Sequence, residues 1–117
     1  WGGQVRGEYD ALRVLAELGV DALVFIVLIP TPGTAFADRQ PPPLEDVANV
    51  FARARELFPR QSINLGCMRP TGRYRAELDT LAVASGLNRL VNPTPPALRL
   101  ARSLGLELID RKECCVL

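Results

Sequence analysis

The sequence predicts an α/β protein built on parallel strands, and three observations carry that expectation. Amphipathic stretches with helical spacing alternate with short apolar runs, in the order α-β-α-β-α-β-α. Single helices separate the strands, so consecutive strands are joined by right-handed crossovers into a parallel sheet. The run Ala22-Leu23-Val24-Phe25-Ile26-Val27-Leu28-Ile29 is apolar without interruption, the pattern of a strand buried on both faces.

The first helix is expected over Gly7 to Leu18, with Ala11, Leu12, Leu15 and Leu18 inward and Gly19 just past its end. The apolar run Ala22 to Ile29 follows, and Pro30 stops it. A second helix starts after Pro41-Pro42-Pro43, with Glu45 and Asp46 in a first turn where the helix dipole favours acids. Its inward face is Val47, Val50, Phe51, Ala54 and Leu57, and Pro59 ends it. Ser62 to Cys67 reads as a shorter strand, and Tyr74 to Ser85 as a third helix with Leu78, Leu81 and Ala82 inward. Leu87 to Asn92 is the third strand. A fourth helix opens at Thr94-Pro95-Pro96, with Thr94 as N-cap, and ends at Gly105. Leu106 to Ile109 reads as a last short strand or an extended tail.

Composition narrows the function. The chain has 117 residues, 14 Lys+Arg against 13 Asp+Glu, and a net charge of +1. No cation excess is available to displace phosphate counterions, so nucleic acid is not an expected partner. There is no histidine, which excludes His-based hydrolase triads and His-ligated zinc within these residues. The longest apolar run is far below the roughly 20 residues that span a bilayer, so no membrane is expected. No secretory leader opens the chain, and the three cysteines then point to a reducing, cytoplasmic setting. The first residue is Trp1, and the chain is expected to be one domain-sized fragment of a longer reading frame.

Two parallel architectures remain, an open doubly wound sheet and part of a (βα)8 barrel. Gly2-Gly3-Gln4-Val5-Arg6-Gly7 precedes a helix but lacks the G-x-G-x-x-G spacing of the first. The barrel accounts better for where the unusual residues fall, since a barrel's active site lies at the C-terminal ends of its strands. Those ends carry Pro30-Thr31-Pro32-Gly33-Thr34, Gly66-Cys67-Met68-Arg69-Pro70-Thr71-Gly72 and Asn92-Pro93-Thr94-Pro95-Pro96, whereas the opposite turns are bland. Asn64, Cys67, Arg69 and Asn92 supply hydrogen bonds, one thiol and one cation, and Thr31, Thr34 and Thr71 add hydroxyls. No carboxylate pair stands at the strand tips, which argues against glycosidase chemistry. The expected rim holds a polar organic ligand while a cofactor supplies the reactivity.

Each residue also has a plain structural reading. Cys67 reads as a small buried hydrophobe, Arg69 as a surface ion-pair residue, and Asn64 and Asn92 as partners for loop backbone. Cys114 and Cys115 read as inert thiols, since adjacent cysteines are poorly placed to ligate one tetrahedral metal.

The segments Leu28-Ile29-Pro30-Thr31-Pro32-Gly33-Thr34, Gly66-Cys67-Met68-Arg69-Pro70 and Gly86-Leu87-Asn88-Arg89-Leu90-Val91-Asn92-Pro93-Thr94 together resemble the second half of a radical S-adenosylmethionine barrel. Within that superfamily the likeness is to the biotin synthase group, and especially to archaeal-type homologues that include a two-component lipoyl synthase. It covers nearly the whole chain, and the tail Glu113-Cys114-Cys115-Val116-Leu117 is similar too.

The resemblance implies the C-terminal half of a (βα)8 TIM-type barrel, inert alone. The full enzyme would carry a 4Fe-4S cluster on a C-x-x-x-C-x-x-C loop outside this chain. That cluster would reduce S-adenosylmethionine to a 5′-deoxyadenosyl radical. It also implies that Gly7, Glu8, Leu28, Ile29 and Pro30 border the cofactor, and that Asn64, Cys67, Arg69 and Asn92 face a small-molecule or lipoyl-type substrate or an auxiliary cluster. Cys67, Cys114 and Cys115 are the weak metal candidates. Where biotin synthase places an arginine ligand to a 2Fe-2S cluster this chain has Asn64, which leaves the kind of sulfur insertion, or its occurrence, open. Half a barrel exposes two strand edges, so the isolated chain is expected to dimerise, aggregate or take a partner subunit. An iron-free barrel enzyme with a small organic ligand, and a small non-catalytic α/β module, remain as alternatives.

Overall fold

The computed structural model describes residues 1–114. Four helices and three strands follow in the predicted order: α1 (Glu8–Leu18), β1 (Ala22–Phe25), α2 (Leu44–Leu57), β2 (Ser62–Leu65), α3 (Gly72–Ala84), β3 (Arg89–Leu90) and α4 (Pro95–Ser103). The strands form one parallel sheet in the order β1-β2-β3, with Val24 opposite Asn64 and Asn64 opposite Arg89.

Side-chain alternation divides the sheet into two faces. Leu23 and Ile63 pack with Leu12 of α1 and with Val50, Ala54 and Phe58 in and after α2. Val27 and Leu65 pack with Val47 and Phe51 of α2 and Leu78 and Ala82 of α3. Helices α1, α2 and α3 therefore cover one face. On the other, Val24 and Ile26 are 36% and 67% exposed. Helices on a single face follow from consecutive strand order with crossovers of one hand.

The expected inward stripe of α2 is borne out at Val47, Val50, Phe51 and Ala54. In α1 only Leu12 is fully buried, and Ala11 and Leu18 are exposed, because a single neighbouring helix covers that face. Gly19 has φ +75° and donates its amide to the Leu15 carbonyl at 3.0 Å, closing α1.

The expected strand over Ala22 to Ile29 ends its regular pairing at Phe25, and that over Leu87 to Asn92 is reduced to Arg89–Leu90. Past the regular ladder the Gly66 amide bonds the Phe25 carbonyl at 2.8 Å and the Val27 amide bonds the Met68 carbonyl at 2.9 Å, holding the two segments together. Four residues after Leu65 the Arg69 side chain turns inward to Asp79 and the Gly66 carbonyl. Leu106 to Ile109 is an exposed tail, since the Leu106 amide is taken by the Ala101 carbonyl at the end of α4.

Candidate functional site

Parallel strands and returning helices put the C-terminal ends of β1–β3 and the N-termini of α2–α4 at one rim. The structure divides the predicted rim residues into an internal scaffold and an exposed set.

Arg69 belongs to the scaffold. Its side chain has no exposed surface, and neither has that of Asp79 on α3. Nε and Nη2 donate to the two Asp79 carboxylate oxygens at 2.7 and 3.1 Å. Nη1 donates to the Gly66 carbonyl at 2.7 Å, and Nη2 to the Val91 carbonyl at 2.6 Å. Asp79 also accepts the Thr94 amide at 2.9 Å. All three guanidinium nitrogens are thus engaged, tying the ends of β2 and β3 to the start of α4. The pair is buried instead of lying on the surface, and its bonds tie the rim loops together. Asp79 is the residue that sequence reasoning missed. Its signal was available, a carboxylate between Leu78 and Ala82 on the inward stripe of α3.

Asn64 is buried on the sheet face opposite the helices, where its Oδ1 accepts from Ser62 Oγ at 2.7 Å. Asn92 is exposed with φ +46°, a conformation asparagine tolerates better than most residues. Its carbonyl accepts from Arg75 at 3.1 Å. Cys67 is a free thiol exposed beside Met68, so the buried-hydrophobe reading of Cys67 does not hold. Cys114 is also free and exposed, and Cys115 lies outside the described residues. Thr31 and Thr34 spend their hydroxyls on the Ile29 and Thr31 carbonyls, at 3.0 and 2.7 Å. Among the described residues no three His, Cys, Asp or Glu side chains gather as a metal site.

The expected cofactor-bordering residues do come together in part. A cavity of about 230 Å³ opens beside the end of β1, between α2 and the N-terminal segment. Ile26, Val27 and Leu28 form one wall, Val47 and Phe51 a second, and Gly2, Gly3, Gln4 and Glu8 a third. Ile29, Pro30 and Gly7 adjoin this lining without being part of it. Gly3 is required there: at φ +86°, a Cβ would stand 2.0 Å from the Gln40 carbonyl oxygen.

Glu8 lines the cavity together with the Trp1 amino group, which donates to its Oε1 at 3.1 Å. Partial burial pushes its carboxyl up, but bonds from its own amide, the Trp1 ammonium and the Arg6 amide outweigh that and hold it below the usual range. The cavity is a largely apolar slot with the paired Glu8 carboxylate and Trp1 amino group on one wall. At its edge Tyr74 donates to the Pro42 carbonyl at 2.7 Å, and burial pushes its phenol up to about 12.

Among the described residues no helix is long and apolar enough to cross a membrane. Comparison of the chain with protein-family models, with curated proteins and with solved structures finds no match.

Proposed function

We propose that this chain is the C-terminal part of a cytoplasmic radical S-adenosylmethionine enzyme, contributing the adenosyl end of the cofactor site and part of the substrate rim. The observation that supports this reading most is the cavity, where the end of the first strand and the Gly2–Glu8 segment meet around an apolar slot of about 230 Å³. Its largely apolar lining suits a heteroaromatic ring, and the Glu8 carboxylate, shared with the Trp1 amino group and the Arg6 amide, suits a hydrogen-bond donor attached to that ring. A sheet clothed by helices on one face, with Val24 and Ile26 bare on the other, agrees with a barrel segment whose inner face awaits further strands.

In this reading Leu28 and Val27 pack against the ring and the Glu8 carboxylate accepts hydrogen bonds from the ligand. The buried Arg69–Asp79 pair holds the rim loops in register. Cys67 and Asn92 are the exposed rim groups facing a small-molecule or lipoyl-type substrate. The 4Fe-4S cluster and S-adenosylmethionine, when bound, supply hydrogen-abstraction chemistry, and the cluster's ligands belong to a part of the enzyme outside this chain.

The test is to read the coding sequence upstream of the Trp1 codon and express the whole frame anaerobically. A C-x-x-x-C-x-x-C loop, with 5′-deoxyadenosine formed after cluster reconstitution, is the expected result. An upstream sequence without a cysteine triad would overturn the reading and favour a small iron-free α/β protein.

A further inference from the structure

Charge pairing sorts the arginines of the described residues. Six stand against a carboxylate. Of the others only Arg55 and Arg75 are half-buried, and the rest are exposed. Arg55 spends both terminal nitrogens on protein acceptors, the carbonyls of Phe58, Gln61 and Gly86 and the Asn88 Oδ1. Arg75 does not. Its Nη2 donates to the Asn92 carbonyl at 3.1 Å and, at the longer distance of 3.4 Å, to the Val91 carbonyl. Its Nε and Nη1 have no acceptor among the described residues. A half-buried cation without a counter-charge is costly unless something else supplies one.

The surrounding groups leave that charge uncompensated. Asp79 is committed to Arg69 and to the Thr94 amide. Glu77 pairs with Arg73 at 2.8 Å. The first turns of α3 and α4 contain no acid, whereas those of α1 and α2 do. The positive ends of these two helices are therefore not neutralised by their own residues. Thr94 Oγ1 is buried and has no hydrogen-bond partner. Asn92, whose carbonyl Arg75 holds, is the one non-glycine residue with positive φ among those described. Backbone held in such a conformation concentrates at ligand sites.

We propose that Arg75 anchors an oxyanion-binding subsite on the rim, taking the carboxylate or phosphate group of a small ligand through the donors the protein leaves open. The Asn92 carbonyl fixes the guanidinium beside the end of β3, and partial exposure lets a ligand reach it. A substrate on this rim is accordingly an acid or a phosphorylated compound. The inference uses only the rim position of Arg75 and depends neither on the cavity nor on radical chemistry.

The test is a titration of the whole chain with inorganic phosphate and, separately, with acetate, at constant ionic strength with chloride as the baseline. Nitrogen-15 resonances of the Arg75 Nε and the Asn92 amide report binding. Both are expected to shift saturably in the wild type, and the anion that binds more tightly identifies a phosphate or a carboxylate site. Arg75→Gln keeps a donor for the Asn92 carbonyl but loses the charge. Followed at Asn92, it is expected to bind about tenfold more weakly or worse, the scale of one lost charge-assisted hydrogen bond. Arg75→Lys keeps the charge without the planar donor array and should fall between. Arg99→Gln, at an exposed arginine of α4, should bind as the wild type does.

Shifts that rise without saturating for both anions in the wild type overturn the subsite, and this holds whether or not a variant folds. Wild-type affinity in a folded Arg75→Gln overturns it as well, by reducing Arg75 to a brace for the Asn92 turn. An upstream sequence without a cysteine triad would remove the radical reading and leave this result standing.

Discussion

Replacing Asp79 by alanine leaves the Arg69 guanidinium charged, without exposed surface, and bonded only to carbonyls. Breaking a buried ion pair by removing one partner costs about 3–5 kcal/mol, because the remaining charge is uncompensated. The Thr94 amide loses its acceptor in the same step, so a value of about 4 kcal/mol is expected. That is a large part of the roughly 5–15 kcal/mol by which a domain is stable. With a urea slope near 1.5 kcal/mol per molar, the midpoint falls by about 2–3 M.

Arg69→Met is expected to cost about the same. Its loss strands the Asp79 carboxylate and uncovers the Gly66 and Val91 carbonyls. The double variant Arg69→Met/Asp79→Leu removes both charges, and should cost less than the two single losses combined by about 2 kcal/mol or more. Urea unfolding of all four proteins measures that coupling. Additivity within about 0.5 kcal/mol would refute the argument, since it would mean that neither charge depends on the other.

Tyr74 ionises near 10 when unfolded and about 12 when folded. Its contribution is complete below pH 10 and lost as pH rises from 10 to 12. After allowance for its partial exposure this amounts to about 1–2 kcal/mol. Unfolding curves across that window should show the decline in the wild type and a smaller one in Tyr74→Phe. Asn88 Oδ1 accepts from both Arg55, at 2.6 Å, and the Ile63 amide, at 2.9 Å. Asn88→Ala should cost about 1–2 kcal/mol while Asn88→Asp, which keeps the acceptor, stays near wild type in chemical denaturation. Gly3→Ala meets the Gln40 carbonyl, whereas Gly19→Ala meets nothing within 4 Å. A thermal melt should therefore show about 1 kcal/mol lost at Gly19, from the backbone alone, and clearly more at Gly3. Native thiol titration should detect Cys67 and Cys114 reacting at once, since both are exposed.

Local pattern settled a good deal. Helical spacing of Val47, Val50, Phe51 and Ala54 is a property of neighbours in the chain, and so is a glycine directly after Leu18. Their burial and turn geometry followed as expected. Alternation of helix and strand likewise determined a parallel sheet with its loops gathered at one rim. These features depend on interactions within a few residues and on the handedness of crossovers, both legible without coordinates.

Strand length and side-chain role were decided elsewhere. Whether Ile26 to Ile29 continues a ladder depends on the partner strand, and β2 ends at Leu65, shortly before Arg69 turns inward to Asp79, ten residues on. A lone arginine in a loop looks the same in sequence whether it meets solvent, substrate or a buried carboxylate. The choice is made by burial, which makes an unpaired charge so costly that the two must meet. The cavity is of the same kind: Leu28 and Glu8 are far apart along the chain, and only packing of the N-terminal segment against β1 and α2 makes them two walls of one site.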